Sequence, residues 1–307
     1  MRSGAADAEQ HFRHHFIGFA ADRNTVYHEA MATIRQRALP VGWYPADADA
    51  VRELCRQWHN QISHDNGDSG ARAAIVPHAG WAFSGELAFR GVRALDPAAR
   101  TVVVIGGHLP PGQPILVAVE QGFETPLGVV ESDTELVHKV SGELSTSADN
   151  SRENSVEIHL PLIAHLFPQA RVVWLRAPAD RSAIALGQLL AREADQYRLT
   201  VVGSTDLTHY GPRFALTRPG SRESNKRWAE TVNDRGFLDC CAAADPEALL
   251  EHAARNQSAC SPGAAAAAVA FARTLGAERG RELGYANSFD RTGDENFVGY
   301  AAVGFWV

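Results

Sequence analysis

Lysine is nearly absent from these 307 residues, occurring only at Lys139 and Lys226. Arginine carries the remaining positive charge, and no block of basic residues interrupts the chain. With a formal net charge of -7, the protein lacks the basic stripe that a polyanion needs, so nucleic acid is excluded as an expected partner. Long hydrophobic runs are also missing. No stretch of about 18 apolar residues occurs, which excludes a membrane-spanning helix and a membrane partner. Residues 1–10 are polar and lack the apolar core of a signal peptide, so cytoplasm is the expected location. Cysteine is scarce: Cys55, Cys240, Cys241 and Cys260 complete the set. None forms a C-x-x-C pair, which argues against a zinc knuckle, and in a reducing compartment free thiols are expected. The phosphate-binding patterns GxGxxG and GxxxxGK[ST] do not occur, nor does the GxSxG elbow of α/β-hydrolases.

What is present is enough apolar material for a substantial core, at 45% of the chain. Val26, Ala30 and Ile34 recur at helical spacing, so residues 1–38 read as a partly helical N-terminal extension with a helix over 25–37. The turn-rich segment 39–45 then opens a single main domain, 39–307. Helices are expected over 47–60, 85–95, 133–144, 159–166, 181–195, 223–242 and 246–254, and across the alanine run 264–272. Short apolar runs at 73–76, 101–105, 115–119, 171–175, 199–203, 284–289 and 298–306 read as strands. Apolar strands alternating with helices predict an α/β sheet covered on both faces.

Chemistry-bearing residues gather where these strands end. The first run ends at His78, the second at Gly106, Gly107 and His108, and the fifth at Asp206 with His209 three residues beyond. Cys260 precedes Ser261 and Pro262, a helix cap and a first-turn proline, at the start of the alanine run. A thiol at a helix N-terminus sits in a positive field that favours thiolate. In open α/β sheets, ligands bind outside the carboxyl ends of strands. Two imidazoles and a thiolate there make a three-ligand set for a transition metal with open positions. Each residue alone has a plainer reading: a hydrogen-bonded loop histidine, a helix-capping aspartate, an inert buried thiol. Their joint placement favours a shared site. Glu157 and His159 read as an ion pair joining a strand to a helix, Cys55 as a small core residue, and Cys240 and Cys241 as parts of a helix.

At these residues the chain resembles the MEMO family, which includes the AmmeMemoRadiSam system protein B. PHAGWAFSG (77–85) resembles the family's PHAGY-x-Y-S-G, ENSVEIHLP (153–161) its E-H-S-x-E-x-H-L-P, and STDLTHYG (204–211) its S-S-D-x-S-H-Y-G. VGWYP (41–45) and VGYAA (298–302) match its opening and closing motifs. GGHLPP (106–111) departs from the family's paired histidine, and Asn154 stands where a histidine is usual, so substrate preference is open to change. The resemblance implies a three-layer α/β/α domain with a central mixed, mostly parallel sheet, similar to class III extradiol dioxygenases, which use non-haem Fe(II). It places the metal on His78, His108 and Cys260, with Cys260 in place of the dioxygenases' carboxylate, and Asp206, His209 and His159 in the same pocket.

The implied function is a metal-dependent, dioxygenase-like oxidoreductase acting on a small, aromatic-type substrate, with Fe(II) as the expected metal and copper as the alternative. His209 is expected as general acid/base, Asp206 as its orienting or substrate-binding partner, and His159 as a second proton-transfer or oxyanion group. Trp43, Trp81, Phe83 and Tyr210 are expected to line the pocket. The rival reading is a non-catalytic metal-binding or phosphopeptide-binding adaptor. Net acidity and the lack of an arginine cluster near the motifs weigh against that phosphate recognition. A third reading makes Cys260 a nucleophile. Family analogy adds radical-SAM and AMMECR1-like proteins as expected partners.

Overall fold

Residues of the central apolar runs alternate between two cores, and this alternation organises the molecule. The computed structural model describes residues 33–62 and 69–307. Its strands are β1 (Ile34–Arg35), β2 (Ala73–Val76), β3 (Thr101–Leu109), β4 (Ile115–Val117), β5 (Gly122–Thr125), β6 (Gly128–Glu131), β7 (Thr146–Ala148), β8 (Arg171–Pro178), β9 (Leu199–Ser204), β10 (His209–Tyr210), β11 (Gly280–Asn287) and β12 (Phe297–Phe305). Among the described residues, the main sheet runs β10-β12-β2-β9-β3-β8-β4-β7, with β11 also paired to β12. The four central strands β2, β9, β3 and β8 run parallel to one another. On either side β12 joins β2 antiparallel, and β4 joins β8 antiparallel.

Ala73, Ile75, Val103, Ile105, Val173, Leu175 and Val201 enter one core. Ala74, Val76, Val102, Val104, Val172, Trp174 and Val202 enter the other. Successive side chains of a strand point to opposite faces, so a run apolar at every position requires cover on both. Helices Arg181–Tyr197, Asp234–Ala242, Pro246–Asn256 and Pro262–Thr274 contribute to the first core, and Ala48–Ile62, Trp81–Arg93 and Leu160–Leu166 to the second. The result is the expected three-layer α/β/α arrangement around a mixed sheet.

The alanine run has a packing reason. Every residue from Gly263 to Ala272 is buried. A helix enclosed on all sides admits small side chains where backbones approach closely. Its partners are small there too: a methyl group at Gly203 would crowd the Ala264 carbonyl at 2.7 Å. This helix places Cys260, two residues before its start, against the end of β9.

Several elements differ from the sequence reading. The helix expected over 25–37 falls partly outside the described residues, and Ile34–Arg35 is a strand that pairs parallel with β5. The small β1-β5-β6 sheet had no clear periodic signal over such short segments. The helix expected over 223–242 is interrupted by a wide π turn at Ala229–Asn233. There Asn233 and Asp234 turn to the loop after β9: Asn233 Nδ2 donates to Thr208 Oγ1 at 2.9 Å, and Asp234 accepts from the Thr208 amide at 2.9 Å. Residues 154–157 form a short helix, not a strand. Glu157 does not pair with His159. It accepts from the amides of Ala38 and Leu39 and from Tyr44 Oη, which fastens the 38–44 segment to the domain.

Candidate metal centre

Three parallel strands end side by side at one edge. β2 ends just before His78, β9 at Ser204 just before Asp206, and β3 carries His108 in its last turn. His78 Nε2 lies 3.2 Å from His108 Nε2 and 3.2 Å from Cys260 Sγ. All three donor atoms fall within 4.8 Å of one another. A metal bound at about 2.1 Å to nitrogen and 2.3 Å to sulfur holds such donors roughly 3.0–3.4 Å apart. The donor set therefore fits one ion, and it is chemically suited to iron, copper or zinc.

Each donor is braced from behind. His78 Nδ1 meets Ser204 Oγ at 2.9 Å, and Ser204 Oγ meets His159 Nε2 at 2.9 Å. With His78 donating from Nδ1, its Nε2 lone pair is free to face the other donors. His108 Nδ1 meets Glu153 Oε1 at 2.7 Å, a carboxylate–histidine pair. Glu153 is held in turn by Ser155 Oγ at 2.7 Å and by Arg176, whose Nε also donates to the Gly107 carbonyl at 3.0 Å. Cys260 Sγ accepts from the Asp206 amide at 3.3 Å, while the Cys260 amide donates to the Asp206 carbonyl at 3.2 Å.

The two glycines before His108 are required by space. A Cβ at Gly106 would overlap Ser155 Oγ, and one at Gly107 would overlap the Ser261 side chain. His108 itself has φ of 60°, the left-handed region that non-glycine residues seldom adopt. The Ser261 hydroxyl accepts from its amide at 3.2 Å and fixes that conformation. Ser261 thus stands at the helix cap position without a side-chain capping bond, because its oxygen is used on His108.

The electrostatics follow from this packing. Burial would raise the Cys260 thiol, but His78 and His108 outweigh it and hold the group well below the ordinary cysteine value. His108 is disfavoured as a cation by burial, yet Cys260 and Glu153 push it up to about 10. Burial likewise opposes charge on Asp206, but His78 and His209 hold its carboxyl below the usual range. His209 is raised because Asp206 and Cys260 outweigh its burial. These directions describe a thiolate and two carboxylates set among imidazoles.

His78, His108, Asp206 and His209 line a cavity of about 670 Å³, together with Trp43, Phe83, Phe214 and Arg213. His209 stacks on Phe214, ring centroids 4.9 Å apart. Asp206 Oδ2 lies 3.8 Å from His209 Nε2 and 3.9 Å from His78 Nε2. Of the aromatic and histidine residues singled out in the sequence for this pocket, Trp43 and Phe83 line the cavity, and Trp81, Tyr210 and His159 do not. Trp81 is buried, donates from its indole to the Ile158 carbonyl at 3.1 Å and packs edge-on against Trp58. Tyr210 is buried, stacks on Phe297, and accepts from the Arg218 amide at 2.9 Å. His159 is fully buried behind Ser204, and burial pushes its imidazole down to about 3. A neutral ring with no cavity exposure has no direct reach to a substrate, so the expected proton-transfer role does not fit its position. Sequence reasoning assigned no role to Glu153, Ser204, Arg176, Arg213 or Phe214, and it gave Ser261 only a helix-capping role, whereas its hydroxyl holds the His108 amide. Glu153 and Ser204 lay inside the quoted motifs, and Arg213 and Phe214 two and three residues past one.

An α/β domain with a His–His–Cys donor set at the strand ends is the class these observations define. Residues 35–304 match the family described as Memo-like protein, and the chain belongs to that family. A MEMO1 family protein of Thermococcus onnurineus is 28% identical over 295 residues, covering 89% of this chain and 99% of the relative. MEMO1 family proteins of Pyrococcus furiosus and Methanosarcina barkeri are 28% and 29% identical, each over 88% of this chain and 98% and 99% of the relative. A crystal structure of an uncharacterized Escherichia coli K12 protein aligns with a TM-score of 0.44 at 11% identity, over 76% of this chain and 99% of that one. Among the described residues, no helix is long and apolar enough to cross a membrane.

Proposed function

We propose that this protein is a metal-dependent, dioxygenase-like oxidoreductase that acts on a small aromatic substrate. The observation that carries the reading is the convergence of His78 Nε2, His108 Nε2 and Cys260 Sγ beside an aromatic-lined cavity. Iron(II), with copper as the alternative, would be held by these three residues and would supply open positions at which substrate and O2 meet.

The chain's own groups do the rest. Trp43, Phe83 and Phe214 offer ring faces for a flat apolar substrate. His209, whose imidazolium is favoured by Asp206 despite burial, stands at the cavity wall to give or take a proton. Phe214 fixes the plane of that ring by stacking. Asp206 favours the charged form of His209 and secures the His78 amide at 2.7 Å. His159 acts only through Ser204, on the orientation of His78.

Oxygen uptake by anaerobically iron-loaded protein, offered a panel of catechols, tests the reading. Substrate-dependent uptake that falls about 10²- to 10⁴-fold in His209→Gln, with metal content unchanged, is expected. The variant Cys260→Asp separates ligand from nucleophile, because a carboxylate can bind iron but cannot act as a thiol. Retained metal and uptake in it support ligation. Full metal binding with no uptake for any catechol would overturn the enzymatic reading.

A further inference from the structure

We infer that Arg213 selects an anionic aromatic substrate, one whose ring bears a carboxylate, and that it does so at the wall of the cavity beside the three donor residues. The inference rests on the proposed function for its assignment of that cavity as the substrate pocket, and it goes beyond it by naming the substrate's charge.

The first observation is that Arg213 lines the cavity with His209 and Phe214. The second concerns partners. The histidines and the aspartate lining the cavity each face a group of complementary character. Asp206 faces His78 and His209, and His108 faces Glu153. Arg213 differs: among the described residues its guanidinium has no ion pair or hydrogen bond, and only its amide is engaged, donating to Asn296 Oδ1 at 2.9 Å. At its exposed rim the cavity thus carries one permanent positive charge with no protein partner.

The third observation is how firmly that charge is placed. Pro212–Phe214 forms a single tight turn, begun by Gly211 at φ of 118° and by Pro212, whose ring fixes its own φ. Gly211 donates to the Leu216 carbonyl at 2.8 Å, and Phe214 donates to the Gly211 carbonyl at 3.0 Å. Phe214 is anchored by its stack on His209. The backbone under Arg213 is therefore clamped on both sides while its side chain remains available. The walls complete the ligand's description. Phe83 is 40% exposed, a large apolar ring left open beside the cavity, and Trp43 and Phe214 line the same space. Aromatic faces with one free guanidinium match a planar ring carrying a carboxylate, which arginine binds through two parallel N–H donors.

Calorimetric titration of metal-free protein with benzoate and with benzamide, its neutral isostere, tests this without involving turnover. Benzoate is expected to bind about five- to tenfold more tightly than benzamide, the range for a partly solvated charge-assisted pair. The preference should shrink to within about twofold in Arg213→Met and be partly retained in Arg213→Lys. Equal binding of the two probes, a preference that survives Arg213→Met, or no binding of either would overturn the inference. A parallel titration of iron-loaded protein with catechol, which is uncharged at neutral pH, reports on the metal pocket itself. Catechol binding without benzoate selectivity would sink the role of Arg213 and leave the proposed function standing, whereas benzoate selectivity without catechol binding would do the reverse.

Discussion

Replacing Ser204 by alanine removes one oxygen and unties both histidines behind the metal centre. Ser204 and His159 are fully buried and His78 is 2% exposed, so water cannot take the oxygen's place. The hydroxyl lies 2.9 Å from His78 Nδ1 and 2.9 Å from His159 Nε2. The free Nδ1 of His159 has no partner either, so in the variant that ring would have no hydrogen bond from its side chain. An unsatisfied buried polar group costs about 1–3 kcal/mol. Two such losses, partly relieved by relaxation, predict a destabilisation of about 2–4 kcal/mol, read by urea denaturation of the metal-free protein. The second consequence is separate. Without the Ser204 oxygen, nothing holds the His78 proton on Nδ1, so Nε2 is no longer presented reliably. Loss of such a supporting bond lowers metal affinity about 10- to 100-fold. Zinc(II), which is redox-silent, can be titrated against a chelator of known affinity to measure this. A variant that lost stability but kept zinc affinity within about twofold would refute the link from Ser204 to His78.

Further outcomes follow from neighbouring contacts. Gly107→Ala should drive its new methyl into Ser261, which has a Cα 2.9 Å away. A destabilisation of about 1–3 kcal/mol is expected, together with weakened zinc binding because Ser261 adjoins Cys260; unchanged affinity in the chelator competition would contradict it. Glu153→Gln should weaken zinc binding about 10-fold or more, since it removes the negative charge that His108 Nδ1 faces; the same titration decides this. Asp234 gives a pH test away from the donors. Burial pushes its carboxyl up to about 6, against the bonds from Thr208 and Tyr285. The folded state therefore holds this proton to higher pH than the unfolded chain does, and the residue's contribution to stability declines as pH rises from about 4 to 6. Relative to Asp234→Asn, the wild type should lose up to about 3 kcal/mol across that window; parallel stability curves for the two proteins would count against it.

The sequence carried the layers of this fold well, because the runs at 73–76, 101–105, 171–175 and 199–203 each hold consecutive apolar residues that fill both faces of a strand, which marks them as central. Their ends pointed to His78, His108 and Asp206 for the same reason. What it did not carry was depth. Trp81, Tyr210 and His159 sit in or next to motifs, and nothing in a linear pattern distinguishes a residue at the cavity wall from one packed behind it. The strand β1 is two residues long, and the π turn at 229–233 depends on hydrogen bonds to Thr208 from a distant segment, so neither leaves a periodic trace. Arg213 and Phe214 were missed because their meaning lies in what surrounds them: one unpartnered charge and one stacked ring in the same cavity as His209.

The central claim is that His78, His108 and Cys260 together hold one metal ion. Metal analysis of protein purified without oxygen, alongside His78→Ala and Cys260→Ala checked for folding by urea denaturation, tests it most directly. The account predicts about one iron or copper per wild-type chain and near-complete loss from each folded variant. A wild type without stoichiometric metal, or variants that keep it, would contradict the account.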